Sequence, residues 1–496
     1  MKIKLIIPLL TLTFFLTAQV PENILRYRTD QKGNSNDRKK SYMDGNKVRT
    51  IFSNGGEISN WASFPESNIT MEWPKGSGHY HLKGFTLLLA AKLKIQNTSG
   101  QDVFITSVGT QYKEEMDRDP GTGEQWGFEP KGNYSNPDSS LVAISSNQYS
   151  WPSQWPVSLG IDDSWDGNWF GYYGKGRQDS VIETFYVMDD SKDKEYTREP
   201  YKHFPIKEDT VTGGLGLRVE VRGMQFQQKA LEDILFWDYH ITNISDFAYD
   251  SASIGFFCVP INNAGGTIPD LNMKYFYGDA EYGYFGITVL NSETNEHIAN
   301  VSSEYVSEMS DKGLGAWPKN DVIMWGAMTG GFVSSVMANS NLEFVVGGSV
   351  FQFEKWSTKN YAIAMVFGND LTSIIQKRNI AQKLYRNNYI VTEEITNVKT
   401  AERIDRNNPL TFLISQNYPN PFNPSTMIRF DVPVESDIDV SIFDILGRKL
   451  ESIVSGHYAR GSYIAQWNGS KYSSGIYFYA LRSGAFSQTK KMILQK

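Results

Sequence analysis

The chain has 496 residues, of which 48 are Lys or Arg and 55 are Asp or Glu, so its formal net charge is −7. This balance argues against a nucleic-acid-coating protein, which needs a basic surface to neutralise phosphates. The single cysteine, Cys258, excludes an intramolecular disulfide framework and any multi-cysteine metal site. Aromatic residues make up 14% of the chain, and they favour strands, so we expect a mainly β fold of two to four domains.

The N-terminus has the layout of a secretory signal peptide. Lys2 and Lys4 precede an apolar run over residues 5–16, and the small residue Ala18 follows that run. A cationic start, an apolar core of about 7 to 15 residues and a small-residue exit are typical of such peptides. We predict a signal peptide over residues 1–18, with a buried N-terminal strand or helix as the alternative. The sequence predicts no transmembrane segment, because no apolar run reaches the length of about 20 residues that spans a bilayer.

The central part of the chain has the patterns of a large β protein. Residues 19–47 are polar and charged, and we expect an exposed lead-in there. Apolar residues alternate in several segments of 48–391, among them 217–222 and 235–242, and a helical period occurs at 371–389. We expect a β-rich region at 48–391, which we call the passenger. It is built as one large β-sandwich or as two smaller ones divided near residues 190–215. The polar segment 392–410 is predicted to be a linker.

Residues 411–496 form a segment of different character. They contain nine Lys and Arg against six Asp and Glu, whereas the whole chain is acidic. Short alternating segments are separated by turn-forming glycines, a pattern typical of a small antiparallel sandwich. We therefore predict a small Ig-like β-sandwich at the C-terminus.

Four motifs of this segment resemble the type A C-terminal sorting domain of the type IX (Por) secretion system. They are the run Gln416–Pro424, the turn Asp444–Gly447, the strand start Ser474–Tyr477 and the basic-apolar strand Lys490–Leu494, in the order of that family. The residues that carry the resemblance are Asn417, Tyr418, Pro419, Asn420, Pro421, Phe422, Asn423, Pro424, Gly447, Gly475, Tyr477, Lys490 and Lys491. The alternative is an ordinary appended sandwich, which the proline-rich run argues against.

This resemblance implies a route and a set of partners. The general secretory machinery would deliver the chain to the periplasm, and the type IX translocon of a Bacteroidota-like outer membrane would then read the tail. In that family a surface sortase commonly removes the tail and can attach the passenger to surface lipopolysaccharide. The expected location is the cell surface or the extracellular medium. Passenger segments such as 43–50 and 232–237 resemble patterns in uncharacterised secreted proteins with this tail, which implies no activity.

Tryptophans cluster between residues 126 and 169. Exposed aromatic faces stack on sugar rings, so Trp126, Trp151, Trp155, Trp165 and Trp169 form a candidate glycan platform. The alternative is that these rings fill the core of a loop-rich sandwich, because buried aromatics dominate core energetics.

An acidic segment within this region is a weak candidate for Ca²⁺. Asp162, Asp163 and Asp166, with Asn168, carry the hard oxygen ligands that Ca²⁺ takes. The spacing differs from that of an EF-hand because the bidentate Glu is missing, and a solvated turn is the alternative. We predict no other cofactor.

The sequence identifies no catalytic residue. It has no Gly-x-Ser-x-Gly, His-Glu-x-x-His or Gly-Lys-Ser/Thr motif. We therefore expect a non-catalytic passenger that binds polysaccharide or another surface component. The alternatives are a secreted carbohydrate-active enzyme and a structural envelope or matrix protein.

Overall fold

The structure, a computed structural model, describes most of the chain after residue 18. The described residues are 19–59, 71–110, 118–119, 121–123, 126–176, 181–262, 264–268, 271–278, 281–290, 321–329, 344–392, 395, 402–405, 409–458 and 460–496. The predicted signal peptide at 1–18 lies outside them. No helix within the described ranges is long and apolar enough to cross a membrane.

Three α-helices occur in the described ranges, and the longest confirms a sequence prediction. They are α1 (Glu22–Thr29), α2 (Asp321–Thr329) and α3 (Leu371–Arg386). Helix α3 begins with a capping box, in which Asp370 accepts a hydrogen bond from Ser373 N at 2.7 Å and Ser373 accepts one from Asp370 N. Its apolar face, which includes Ile374 and Leu384, is buried. Short 3₁₀ turns lie at Ser35–Asp37, Gly132–Tyr134, Gln148–Ser150, Val157–Leu159, Asp163–Trp165 and Glu195–Thr197.

The strands of the passenger follow in chain order. They are β1 (Lys40–Met43), β2 (Arg49–Ser53), β3 (Glu57–Ile58), β4 (Met71–Glu72), β5 (Tyr80–Gln96), β6 (Asp102–Gly109), β7 (Glu129–Pro130), β8 (Phe170–Gly171), β9 (Gly174–Lys175), β10 (Val181–Asp189), β11 (Leu217–Phe226), β12 (Ile234–Asn243), β13 (Tyr249–Pro260), β14 (Ala264–Ile268), β15 (Met273–Tyr277), β16 (Tyr284–Val289), β17 (Phe344–Gly347), β18 (Phe351–Phe353) and β19 (Thr358–Gly368). The alternating segments of the sequence at 217–222 and 235–242 are strands, as predicted, and the protein is mainly β.

These strands form two large antiparallel sheets with one shared hydrophobic core. The first sheet has the order β1-β2-β3-β5-β13-β17; in addition, β4 pairs with β2 and β5, β6 with β5 and β18 with β13. The second sheet has the order β14-β15-β16-β19-β12-β11-β10-β7. Between the sheets, the ring centroids of Phe52 and Trp237 are 5.4 Å apart, as are those of Phe256 and Tyr239. Strands from both sides of residues 190–215 belong to the same sheet, so the described strands of the passenger make one sandwich.

The outer face of the second sheet is covered in two places. Helix α3 packs on β16 and β19, where Ile374 and Leu384 join a core of their own. The loops between β7 and β10 cover β10, where Trp155 and Trp169 pack on Phe185. Between these two covers, Glu220 of β11 and His240 of β12 remain partly accessible.

Residues 19–47 are not an exposed lead-in, contrary to the sequence prediction. Ile24 of α1 and Met43 of β1 are fully buried. The Arg28 guanidinium donates to the carbonyl oxygen of Ile244 at 2.7 Å and pairs with Asp246 at 2.8 Å. The polar residues of this segment therefore satisfy distant polar groups, a pairing that local composition does not reveal.

The C-terminal segment is a second, smaller sandwich. Its strands are β20 (Glu402–Asp405), β21 (Leu413–Ile414), β22 (Ser425–Val432), β23 (Ser436–Phe443), β24 (Lys449–Tyr458), β25 (Gly461–Asn468), β26 (Gly475–Ser483) and β27 (Phe486–Leu494). They form two four-stranded sheets, β20-β25-β22-β21 and β24-β23-β26-β27, around a common core. Strand β20 lies within the predicted linker 392–410 and pairs with β25.

Candidate functional site

A cleft of about 230 Å³ opens on the accessible outer face of the second sheet. Its lining residues come from β8, β10, β11, β12 and the turn after β8. They are Phe170, Gly171, Tyr172, Phe185, Glu220, Val221, Arg222, Asp238 and His240. Because residues two apart on a strand share a face, Glu220 and Arg222 of β11 project beside Asp238 and His240 of β12. The strand register pairs Glu220 with His240 and Arg222 with Asp238.

Two ion pairs fix the floor of the cleft. Arg222 Nη1 lies 2.6 Å from Glu183 Oε2, and its guanidinium packs 4.7 Å from the ring centroid of Phe185. Arg218, which is fully buried, pairs with Glu220 and packs 4.2 Å from the ring centroid of Tyr27. Each arginine therefore neutralises one carboxylate, which allows both charges to lie at the base of the cleft.

Asp238 is the exception among these carboxylates. It is buried, and its Oδ1 accepts no hydrogen bond from any residue in the described ranges. His240 Nε2 lies 3.8 Å from that oxygen, beyond hydrogen-bond distance, and His240 itself is exposed. Burial raises the pKa of Asp238 above its ordinary value, although the neighbouring His240 and Arg222 oppose that shift. This oxygen is closed to solvent, and the buried hydroxyl of Tyr389 lies near Asp238 as a hydrogen-bond donor.

Aromatic rings form the wall above this floor. The ring centroids of Phe170 and Phe185 are 5.0 Å apart, and Trp165 packs against Phe170 at 5.4 Å. On the other side, Tyr172 contacts Tyr389 with centroids 5.1 Å apart. Polar groups that converge beneath an aromatic wall are the arrangement expected of a small-molecule or saccharide site.

The five tryptophans of the candidate platform do not share one exposed face. Trp126, Trp155 and Trp169 are buried, and Trp126 packs under Arg198 rather than at the cleft. Their neighbour Trp151 is half-buried and donates from Nε1 to the carbonyl oxygen of Ile144 at 2.7 Å. Buried rings cannot stack on a sugar, so a contact with glycan is left to the half-buried Trp151 and Trp165. Of these two, Trp165 contacts the cleft wall through Phe170.

The three aspartates of the calcium candidate are exposed and part of a turn. Asp162 Oδ1 accepts a hydrogen bond from Ser164 N at 3.0 Å and caps the 3₁₀ turn Asp163–Trp165. Asp166 Oδ2 accepts one from Gln154 at 3.3 Å. Across the described part of the chain, no group of three or more His, Cys, Asp or Glu side chains is placed to hold a metal ion.

Sequence reasoning missed the four charged residues of the cleft. Glu220 and Arg222 lie in an alternating segment, where polar positions on alternate residues normally indicate a solvated face. The sequence did contain one signal. The segments that form β11 and β12 follow each other in the chain, and each places at least two charged or titratable residues on that face. Their pairing becomes visible only when the register of β11 and β12 is known.

In the C-terminal sandwich, the proline-rich run lies along the last strand. Phe422 N donates to the carbonyl oxygen of Ile493 at 3.0 Å, and Gln495 N donates to that of Phe422 at 3.0 Å. The side chain of Asn420 accepts from Ile493 N at 2.9 Å, and Gln416 donates to the carbonyl oxygen of Lys491 at 2.7 Å. Strand β27 is at the edge of its sheet, so these bonds occupy backbone groups that would otherwise be open to another chain.

The motif residues divide into buried and exposed sets. Phe422 and Tyr477 are in the core, and the buried Asn417 donates to Thr426 Oγ1 at 2.9 Å. Gly447, with φ of +78°, allows the turn Asp444–Arg448. The residues that remain exposed are Tyr418, Pro419, Asn420, Pro421, Asn423, Gly447, Gly475 and Lys491, while Pro424 and Lys490 are half-buried.

Comparison with known proteins gives a match for this sandwich and little for the passenger. Residues 416–495 match the family described as the secretion system C-terminal sorting domain. No curated protein matches the chain. Among solved structures, a polysaccharide lyase aligns with 63% of this chain and 39% of its own, at 8% identity and a TM-score of 0.20. The alignment spans about two fifths of the lyase, and a likeness this low carries no argument. The C-terminal sandwich is a type IX sorting domain, and the protein is a type IX secretion substrate, exported to the cell surface or the extracellular space.

Proposed function

We propose that the exported passenger binds polysaccharide or another surface component in the cleft between β11 and β12. The observation that carries this proposal is the cleft itself, about 230 Å³ in volume, whose lining combines the side chains of Glu220 and His240 with the rings of Phe170 and Tyr172. Sugar hydroxyls can donate to the carboxylate of Glu220 and can pair with the imidazole of His240, both of which are partly accessible.

The surroundings of Asp238 support a saccharide rather than an anionic ligand. Arg222 and Arg218 are already paired with Glu183 and Glu220, so neither offers an uncompensated positive charge. The rings of Phe170 and Tyr172 stand beside these polar groups and supply apolar surface for the C–H face of a sugar. A neutral or amine-bearing sugar therefore fits the cleft better than a uronate.

The direct test is affinity electrophoresis of the purified exported protein through gels cast with starch, xylan, mannan, chitosan or pectin. We expect retardation in at least one gel, and weaker retardation for Trp165→Ala, because that ring supports Phe170 at the cleft. Tyr149→Ala is the matched control, since Tyr149 is 62% exposed and does not line the cleft. No retardation in any gel would contradict the proposal and favour a structural role in the envelope or matrix.

We also propose the details of the export route. Residues 1–18 would be removed in the first step, and the tail 411–496 would be read by the translocon in the second. A surface sortase would then remove the tail and could attach the passenger to lipopolysaccharide. Deletion of 411–496 should leave the passenger in the periplasm, which fractionation and immunoblotting would detect. Surface display of the deleted chain would contradict this route.

A further inference from the structure

We propose that residues 22–33 act as a strap that orders the cleft, so that docking of the strap and binding of a saccharide favour each other. This inference rests on the proposed function, because the saccharide is the ligand of the same cleft. The strap consists of α1 and the four residues that follow it. Its positioning residues are Tyr27 and Asp30, which act on the cleft through Arg218.

Arg218 lies on the outer face of β11, next to the cleft. Residues 218, 220 and 222 share this face because they are two apart on one strand. Glu220 and Arg222 line the cleft, whereas Arg218 is fully buried. The Arg218 guanidinium pairs with Glu220, so a movement of this arginine would move a carboxylate that the ligand meets.

Two residues of the strap hold that guanidinium in place. The ring centroid of Tyr27 lies 4.2 Å from Cζ of Arg218. Arg218 Nη2 also donates a hydrogen bond to the hydroxyl of Tyr134 at 2.9 Å. Tyr134 in turn donates to Asp30 Oδ2 at 2.7 Å. A continuous path of contacts therefore runs from Asp30 in the strap to Glu220 in the cleft.

The strap is attached mainly by polar contacts. Arg28 pairs with Asp246 at 2.8 Å, and both side chains are partly exposed. Lys32 pairs with Asp209 at 2.7 Å in a similar position. Ile24 is the only fully buried apolar residue of the strap. Segments with few buried apolar contacts open at a lower free energy than the core, so the strap can open while both sheets stay folded.

Opening of the strap would expose Arg218 to water. An ion pair in water holds its geometry weakly, because hydration of the two charges competes with the contact between them. Glu220 would then lose its fixed orientation at the cleft. A saccharide that binds the oriented carboxylate therefore favours the docked strap. By linkage, the docked strap strengthens saccharide binding by the same factor.

The first test measures strap variants of the exported protein by affinity electrophoresis in the polysaccharide gel that retards the wild type. Tyr27→Ala removes the ring beside Arg218, and we expect its affinity to be weaker by about 5-fold or more, the lower end of typical coupling between sites. Tyr27→Phe keeps the ring and should bind like the wild type. Ile254→Ala is the matched control for lost stability, because Ile254 is buried on β13 and does not line the cleft. It should unfold more easily and keep its affinity.

The second test uses the wild-type protein and needs no variant. Gly33 N donates to Asp189 Oδ1 at 3.1 Å, so hydrogen exchange of this amide reports docking of the strap. A hexasaccharide of the retarding polysaccharide should slow exchange of the Gly33 amide by about 5-fold or more. Amides of β27, in the sorting domain, should exchange at an unchanged rate.

The outcomes separate this proposal from the proposed function. Equal affinities of the wild type and Tyr27→Ala would overturn the coupling and leave the binding proposal intact. The same holds for an equal loss of affinity in Ile254→Ala, or for Gly33 exchange that the hexasaccharide does not change. No retardation in any gel would overturn both proposals.

Discussion

The side-chain oxygen of Asn420 accepts a hydrogen bond from the main-chain nitrogen of Ile493 at 2.9 Å. This contact joins the proline-rich run of the sorting domain to its last strand, 73 residues later in the chain. Two further main-chain bonds between Phe422 and the segment 493–495 extend the same junction. The run therefore has a structural role at the sheet edge, besides any recognition by the translocon through its exposed residues.

The core of the sorting domain should depend on Phe422 and not on Tyr418. Phe422 is buried against Trp467, with ring centroids 5.5 Å apart, whereas Tyr418 is 79% exposed. Phe422→Ala should lower the free energy of unfolding of this sandwich by about 3 to 5 kcal/mol. Tyr418→Ala should change it by less than about 0.5 kcal/mol. Hydrogen exchange of the β26 and β27 amides measures both effects, and equal protection in the two variants would contradict the assignment.

An ion pair that is buried beneath the N-terminal segment should stabilise the passenger. Lys131 Nζ lies 2.7 Å from Asp189 Oδ2, and both side chains are almost fully buried beneath residues 30–33. Lys131→Met removes the cation and leaves Asp189 without it, which should cost about 3 to 5 kcal/mol. Urea unfolding measures this loss. Lys94→Met is the control, because Lys94 and Asp102 form an exposed pair. A similar loss in both variants would argue against a special role for burial.

Acid should destabilise the passenger through His81. Burial lowers the pKa of His81 to about 4, below its ordinary value of 6.5. Between these pH values the unfolded chain binds more protons than the folded one, so stability falls as pH decreases from about 6.5 toward 4. The contribution is on the order of 3 kcal/mol, because each pKa unit of difference corresponds to about 1.4 kcal/mol.

The His81→Gln variant isolates this contribution. Its free energy of unfolding, followed by urea denaturation from pH 7 to pH 4.5, should fall less steeply than that of the wild-type protein. His79→Gln is the matched control, because His79 is a partly exposed histidine two residues away. Parallel pH profiles for wild type and His81→Gln would rule out His81 as the source.

Two tryptophans of the predicted platform should respond differently to truncation. Trp169 is fully buried and donates from Nε1 to Glu183 Oε2 at 3.1 Å. Trp169→Ala should lower the free energy of unfolding by about 3 to 5 kcal/mol, because it leaves a cavity and removes a hydrogen bond. Trp165→Ala should cost less, since Trp165 is half-buried. Thermal unfolding by circular dichroism compares them, and a larger loss in Trp165→Ala would contradict this ranking.

Much of the fold follows from local patterns in the sequence. Strict alternation at 217–222 and 235–242 predicts strands because side chains of a strand point to opposite faces. The spacing of Leu371, Ile374 and Leu384 predicts a helix because these positions share one face. The four C-terminal motifs, through their resemblance to a known family, were enough to identify the sorting domain. These features depend on residues that lie close together in the chain, so they can be predicted from the amino-acid sequence alone.

Tertiary structure alone decided the location of the cleft and the surroundings of each tryptophan. Glu220 and Asp238 are 18 positions apart and become neighbours only through the register of β11 and β12. Arg28 finds its partners more than 200 residues away, and for that reason the polar segment 19–47 is packed rather than exposed. Burial and ion pairing depend on which distant side chains meet. Composition and periodicity describe only near neighbours, so they determined the strands and the helix of this protein but not its site.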